Sequence, residues 1–312
     1  MRTSLWFWIL FHVGVFAALI VDLAQFKIRD RELSMRAAAL RSAIWIVLSL
    51  AFNALVWKLR GPEKGLEFLT GYLIEYSLSV DNIFVFVLIF SYFQVPPRAQ
   101  HRVLVWGILG ALVMRGVMIF LGVALVERFD WILYFFGAFL LVSAWRMFFG
   151  KQDTQEFGNT FVMRCCRKSV RVTNDFHGED FTARVDGRWL LTPLALVLIV
   201  IDVMDLVFAV DSIPAVFAIT RDNFIIYTSN ICAILGLRSL YFLLAKLIDR
   251  FVYLRTGLAL ILAFVGVKMI IGDRLPIPNW LSLAIIVVVL AVTIAASLLA
   301  THNKARRSGA GA

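Results

Sequence analysis

Nine long apolar stretches, separated by shorter polar segments, dominate the pattern along the chain. A helix of about 20 residues crosses the ~30 Å hydrocarbon core of a bilayer, whereas strands of a membrane barrel are about half as long and alternate polar with apolar residues. The pattern therefore predicts an all-α polytopic membrane protein with nine transmembrane helices. The predicted spans are Leu5–Phe26, Ala38–Trp57, Phe68–Phe93, Val103–Val126, Trp131–Phe149, Leu190–Ile219, Phe224–Ile248, Leu254–Ile271 and Trp280–Ala300.

The composition and the distribution of charge agree with this interpretation. Of the 312 residues, 61% are hydrophobic and 17% are charged, which is outside the usual range of soluble domains. With the N-terminus outside, the cytoplasmic segments hold 20 Lys and Arg residues and the outer segments hold seven. This bias predicts a cytoplasmic C-terminus. The net charge of +10 then reflects membrane topology, so we expect the lipid bilayer as a partner and no nucleic acid.

Two parts of the chain resemble each other. The segment "EYSLSVDN" at 75–82 returns as "DLVFAVDS" at 205–212, and residues 129–150 align without a gap to 251–272. Because each unit contains three spans, the second unit enters the membrane from the opposite side, which predicts an inverted three-helix repeat of the kind found in transporters. The predicted organisation is two N-terminal spans (1–66), repeat 1 (67–150), a cytoplasmic connector (151–188), repeat 2 (189–273), and a last span with a basic tail (274–312).

Acidic residues stand inside these repeated spans. Each costs roughly 2.5–3.5 kcal/mol at the centre of a membrane helix, so a function is expected. Residues six apart on a regular helix differ by about 240° in direction. We therefore predict local unwinding at Asp81 and Asn82 and at Pro214, which lets the acids converge on one metal site. The predicted metal-site residues are Glu75, Asp81, Asn82, Asp202, Asp205 and Asp211.

Each repeat has an arginine in its second span, Arg115 and Arg238, and a structural alternative is that these two arginines only neutralise buried acids. Five acids against two arginines leave about three carboxylates that need a proton or a cation. Oxygen ligands suit Mg²⁺, Ca²⁺ or Mn²⁺. Because carboxylates also bind protons, the same site could exchange a divalent cation for protons.

Other candidate chemistry is sparse. The adjacent Cys165 and Cys166 in the connector and the isolated Cys232 have no metal-binding spacing. We find no phosphate-binding or catalytic motif and predict no enzymatic activity. The segment "FTARVDGRWLLT" at the end of the connector predicts a short hairpin that turns at Asp186 and Gly187.

The motifs "FLTGYLIEYSLSVDNIFVF", "RVLVWGILGALVMRG", "FDWILYFFGAFLL", "VFAVDSIPAVFAIT" and "NICAILGLRSLYFLL" closely resemble the TerC family of bacterial membrane proteins, and especially its Alx branch. The resemblance implies a protein of the bacterial inner membrane that exports manganese, with Mn²⁺ as the transported ion and no permanently bound cofactor. Older descriptions of the family speak of tellurium resistance or of a redox modulator. The family's motif acids map onto Glu75, Asp81, Asp205 and Asp211, while Asp202 stands where Alx-like sequences carry Glu.

Two functional hypotheses follow. The first is a secondary transporter that exports a divalent cation, most simply Mn²⁺. The second is a membrane redox or stress-response component, active in tellurium resistance or in the response to pH, whose buried acids are structural. A redox role would need a reactive thiol pair, and Cys165 with Cys166 is the candidate pair.

Overall fold

A computed structural model describes residues 5–27, 34–129, 131–149, 173, 178–185, 188–245, 253–272, 275 and 277–309. Helices make up nearly all of this part of the chain. The helices are α1 (Leu5–Lys27), α2 (Met35–Arg60), α3 (Pro62–Tyr92), α4 (Pro97–Arg128), α5 (Ile132–Phe149), α6 (Pro193–Phe217), α7 (Asn223–Leu235), α8 (Leu237–Leu244), α9 (Leu254–Ile271) and α10 (Asn279–Gly309), and the strands are β1 (Thr182–Val185) and β2 (Arg188–Leu191).

Eight of these helices are long and apolar enough to cross a membrane by themselves. The pair α7 and α8 forms a ninth candidate span, because the two helices meet at Gly236 with a bend of 42°. The predicted all-α membrane fold is therefore confirmed, and the predicted span Phe224–Ile248 is a broken helix in the part that the structure describes. The outer helices turn apolar side chains away from the bundle, and between Leu5 and Asp22 of α1 only Phe11 and Leu19 are buried.

Local sequence signals fix where several helices begin. The hydroxyl of Ser34 accepts a hydrogen bond from the backbone N–H of Ala37 at the start of α2, and Thr192 does the same for Ala195 at the start of α6. Gly61 alone separates α2 from α3. Its φ of 93° suits glycine, and Pro62 follows at the first helical position. These caps turn the chain back into the bundle within a few residues.

The interior of the bundle is built from the helices of the two predicted repeats. Helix α3 packs against α7, α4 packs against α6, and α5 packs against α9. The last pair approaches closely at two glycines: a Cβ on Gly266 would lie 2.9 Å from the carbonyl oxygen of Gly137, and a Cβ on Gly137 would lie 3.0 Å from that of Gly266. The predicted inverted symmetry of this arrangement, and the sides of the membrane on which the termini lie, stay predictions.

The predicted unwinding of two helices is wrong. Helix α3 is continuous from Pro62 to Tyr92 and passes through Asp81 and Asn82, since neither residue removes a backbone donor. Helix α6 also continues through Pro214 and ends three residues later, at Phe217. A proline this close to the end of a helix removes one hydrogen bond without stopping the helix earlier. The described break between spanning segments lies instead at Gly236.

The predicted hairpin is present. Strands β1 and β2 pair antiparallel from Thr182 with Leu191 to Val185 with Arg188, and the two predicted turn residues, Asp186 and Gly187, lie outside the described residues. Arg102 of α4 donates to the carboxylate of Asp180 at 3.2 Å, while the hydroxyl of Thr192 donates to the backbone carbonyl of Asp180 at 2.6 Å. The hairpin therefore sits at the end of the bundle where α4 and α6 begin, which we call the Tyr92 end.

Candidate functional site

A fully buried arginine joins two of the predicted acids. Arg115 on α4 donates from Nε to Asp205 Oδ2 at 3.0 Å and from Nη2 to Asp205 Oδ1 at 2.8 Å. Its Nη1 donates to Glu75 Oε1. The relative exposure is 0% for Arg115, 0% for Glu75 and 5% for Asp205. We call these three residues the Arg115 cluster.

The cluster lies where three spanning helices meet. Glu75 comes from the middle of α3, Arg115 from α4 and Asp205 from the middle of α6. The two-point contact with Asp205 uses the planar fork of the guanidinium group, which fits a carboxylate in this way. Breaking a buried ion pair by removing one partner costs about 3–5 kcal/mol. The Arg115 cluster therefore holds the centre of the bundle together in this structure.

Three buried oxygen atoms around the cluster have no hydrogen-bond partner among the described residues. They are Glu75 Oε2, the hydroxyl of Ser79 one turn further along α3, and Asp202 Oδ1 on α6. Buried polar atoms are normally satisfied, and an exception needs an explanation such as an unseen ion or water. The site thus retains acceptor capacity that Arg115 does not use.

Asp202 lies beside Asp205 and against the backbone of α4. Residues three apart on a helix differ by about 60° in direction, so both carboxylates are on one side of α6. A Cβ built on Gly110 would be 3.0 Å from each carboxylate oxygen of Asp202. The absence of a side chain at Gly110 therefore makes room for Asp202. With all groups ionised, Asp202 and the Arg115 cluster carry a net charge of −2.

A small, mainly apolar pocket reaches Asp205. Its lining comes from α3, α4, α6, α7 and α8, and includes Phe86, Leu104, Gly107, Ile201, Asp205 and Leu237. Helices α4 and α6 contribute residues from their first halves, and α3 contributes one from its second half. The pocket therefore lies on the side of Asp205 that is nearer the Tyr92 end, and its lining residues are buried.

Asp211 and Asp205 face different helices, so the predicted metal ligands do not all lie at one site in this structure. Asp211 Oδ1 accepts a hydrogen bond of 2.8 Å from the hydroxyl of Ser143 on α5, whereas Asp205 faces α4, because α6 stays helical between them. Asn82 is buried, and the side chain of Asp81 lies outside the described part of the structure. Among the described residues, no group of three or more His, Cys, Asp or Glu side chains is arranged to hold a metal ion. The role of Asp81, Asn82 and Asp211 as ligands stays a prediction.

The second arginine that could neutralise buried acids, Arg238, contacts an acid outside the predicted site. Its Nη2 donates to Asp22 Oδ2 on α1, so it ties the first helix to α8. Its side chain is 3% exposed and that of Asp22 is 14% exposed. The sequence signal for Asp22 was available, because it is a carboxylate within the apolar stretch "ALIVDLAQF".

A further polar network closes the opposite end of the bundle, where α3 begins and α7 begins. Arg60 of α2 donates to both carboxylate oxygens of Asp222 at 3.3 and 2.8 Å, while Asp222 also caps α7. Lys64 pairs with Glu67 at 2.7 Å, and Thr220 donates to the same Glu67 oxygen at 2.5 Å. These contacts join α2, α3 and the loop between α6 and α7.

The cysteines give little further information. Cys232 is buried among apolar residues of α1, α2, α3 and α7. Cys165 and Cys166, together with most of the predicted connector 151–188, lie outside the described residues. The candidate thiol chemistry of that pair therefore stays a prediction.

Comparison with known proteins identifies the family. The model of the family described as "Integral membrane protein TerC family" matches residues 60–305. A protein named "Uncharacterized membrane protein STKORF319" of Myxococcus xanthus is 47% identical over 95% of this chain and 93% of its own length. Proteins named "Putative membrane-bound redox modulator Alx" are 45% identical in Salmonella typhi, over 95% of both chains, and 47% identical in Escherichia coli K12, over 91% of both. No solved structure matches the chain. By this family match and by its relatives, the chain is a multi-pass membrane protein that belongs to the TerC family.

Proposed function

We propose that this protein is a secondary transporter that moves a divalent cation, Mn²⁺ first of all, across the bacterial inner membrane through the buried carboxylates of α3 and α6. One observation carries the proposal: Glu75 and Asp205 are buried together at the centre of the bundle, and Asp205 lines a small buried pocket. Ionisable residues at this depth usually mark the path of an ion or a proton. Family membership supports the same function through the resemblance described above.

The donor set fits hard cations. Glu75 and Asp205 offer carboxylate oxygens, the hydroxyl of Ser79 is one turn further along α3, and Asp202 adds a third carboxylate beside Asp205. Oxygen ligands of this kind suit Mn²⁺, Mg²⁺ and Ca²⁺. The net charge of −2 at these acids and Arg115 equals the charge that one divalent cation would neutralise. A proton on a carboxylate would oppose the metal, so an inward proton movement is the expected partner of export.

The predicted topology assigns the pocket to one side of the membrane. With the N-terminus outside, the Tyr92 end faces the cytoplasm, so the pocket beside Asp205 lies on the cytoplasmic side of the Arg115 cluster. The ion pairs at the other end would close the outer side in this state. Export then requires that these outer contacts open after the cation has bound.

The proposal is tested in cells that lack their own manganese exporter. Wild-type protein should protect them against excess Mn²⁺ and lower their manganese content, and Glu75→Gln should not. Ser49→Ala is the control, because Ser49 lies on α2, outside the predicted repeats, and its hydroxyl donates to the backbone carbonyl of Trp45. Each protein is quantified in the membrane. A Glu75→Gln protein that is present at the wild-type level and protects fully would contradict the proposal.

The relatives named as redox modulators keep the second hypothesis open to test. The double change Cys165→Ser and Cys166→Ser removes the candidate thiol pair of the connector. A transporter should retain its full protection against Mn²⁺ after this change. If the phenotype is lost with the thiols while Glu75→Gln has no effect, the redox hypothesis replaces the transport hypothesis.

A further inference from the structure

We propose that Arg115 is an internal competitor for the transported cation, and that Asp202 receives its guanidinium group when the cation binds. The inference rests on the proposed function and deepens it. In this structure Arg115 occupies both oxygens of Asp205 and one oxygen of Glu75. A divalent cation that uses these two carboxylates must therefore displace the arginine.

The unsatisfied atoms around the cluster fit such an exchange. Glu75 is fully buried, yet its Oε2 has no hydrogen-bond partner among the described residues, and the same holds for Asp202 Oδ1. Both atoms belong to carboxylates, and a buried carboxylate oxygen is costly when nothing donates to it. In its present position Arg115 reaches Glu75 through Oε1 alone, and neither Glu75 Oε2 nor Asp202 Oδ1 accepts a hydrogen bond from the described residues.

Asp202 is the acid that the displaced guanidinium group can reach. Its carboxylate lies against Gly110 on α4, five residues before Arg115, which is about 7.5 Å along the helix axis. Gly110 and Arg115 differ by about 140° in direction around α4. Asp202, however, lies only three residues, or about 4.5 Å, before Asp205 along α6, and Arg115 already contacts Asp205. A change of side-chain rotamers at Arg115 can therefore bring its guanidinium group to Asp202.

Charge is balanced in the exchanged state. The cation with Glu75 and Asp205 forms a neutral set, and Arg115 with Asp202 forms a second neutral set. In the resting state the same groups carry a net charge of −2 with two carboxylate oxygens unpaired. The exchange gives the site two arrangements that a cation can switch between. It also lowers the apparent affinity for the cation, because part of the binding energy displaces the arginine.

Mn²⁺ binding to the purified full-length protein tests the competitor role. The loss of the electron paramagnetic resonance signal of free Mn²⁺ measures the affinity. If the released state of Arg115 is about a tenth of the population or less, Arg115→Gln should bind Mn²⁺ at least about tenfold more tightly than wild type. Arg115→Lys should lie between them, because lysine keeps the charge but cannot form the two-point contact with Asp205. Arg238→Gln is the control, and its affinity should not change.

A double-mutant cycle tests the role of Asp202. If Asp202 only receives Arg115, then Asp202→Asn should weaken Mn²⁺ binding in the wild-type background and have no effect once Arg115 is Gln. If Asp202 is a direct ligand, the change should weaken binding by the same factor in both backgrounds, which would overturn this assignment.

The outcomes separate the two proposals. Absence of Mn²⁺ binding by wild type and by all variants would overturn the proposed function. Wild-type binding together with unchanged or weaker binding in Arg115→Gln would overturn the competitor role alone. If Arg115→Gln aggregates without metal, added Mn²⁺ should rescue it by supplying the missing positive charge. Aggregation with and without Mn²⁺, together with an Arg115→Lys affinity equal to that of wild type, would also overturn the competitor role.

Discussion

Replacing Asp205 with Asn should destabilise the protein far more than the same replacement at Asp211. Both residues lie on α6, and both changes remove one charge at nearly constant side-chain size. Asp205, however, forms the two-point contact with Arg115, whereas Asp211 accepts one hydrogen bond from Ser143. The comparison therefore isolates the contribution of the buried ion pair.

The magnitudes follow from these partners. Loss of one partner of a buried ion pair costs about 3–5 kcal/mol, and the lower value applies here because Glu75 still contacts Arg115. About 3 kcal/mol changes the ratio of folded to unfolded protein roughly a hundredfold. At Asp211 the Asn amide oxygen can still accept from Ser143. In Asp211→Asn, a neutral amide replaces a carboxylate inside the membrane, which lowers the free-energy cost of inserting the helix by up to ~3 kcal/mol.

Abundance in the membrane and thermal stability after detergent extraction measure the difference. Asp205→Asn should lower both, and Asp211→Asn should leave both at or slightly above the wild-type level. Asp205→Glu is the control that retains the charge. Equal losses in the two Asn variants, or a larger loss at Asp211, would refute the assignment of Arg115 and Asp205 as the stabilising pair.

Three further predictions concern the fold. Gly266→Ala should lower the melting temperature, because the new Cβ would lie 2.9 Å from the carbonyl oxygen of Gly137 and overpacking costs about 1–3 kcal/mol. Gly14→Ala is the control and should have no effect, because no atom lies within 4 Å of its Cβ. Equal melting temperatures of the two variants would contradict the packing of α5 on α9. Arg238→Gln and Asp22→Asn should each lower the abundance of the protein in the membrane. The double variant should recover part of the loss, because it leaves neither charge of this pair buried alone. A fully additive loss would contradict the pairing of Arg238 with Asp22. Reporter tags should place the N-terminus outside and the C-terminus in the cytoplasm, and tags found on one side would remove the nine-span topology.

The spans and the hairpin could be predicted from sequence because each depends on local information. Apolar stretches of fixed length identify membrane helices, and an Asp-Gly pair between short alternating segments identifies a two-residue hairpin turn. The helix break at Gly236 could not be predicted in this way, because glycines are frequent in membrane helices and most of them do not break a helix. The bend at this residue depends on how α7 and α8 pack against their neighbours.

The partners of the buried charges could not be predicted from sequence. The sequence places Glu75, Asp205 and Arg115 within apolar spans, but the pairing of their side chains depends on which faces of the helices meet. The prediction that all acids converge required unwound helices, and the structure has continuous ones. Asp211 therefore faces α5, and Arg238 finds Asp22 on a helix outside the repeats.

Flux of radiolabelled Mn²⁺ into proteoliposomes with an imposed pH gradient tests the central claim most directly. The wild-type protein should move Mn²⁺ in the direction opposite to the flow of protons down the imposed gradient, and the rate of Mn²⁺ movement should fall when the gradient is removed. Glu75→Gln should abolish the flux, and Ser49→Ala should retain it. Flux by wild type that equals that of protein-free liposomes, or full flux by Glu75→Gln, would contradict transport through the buried carboxylates.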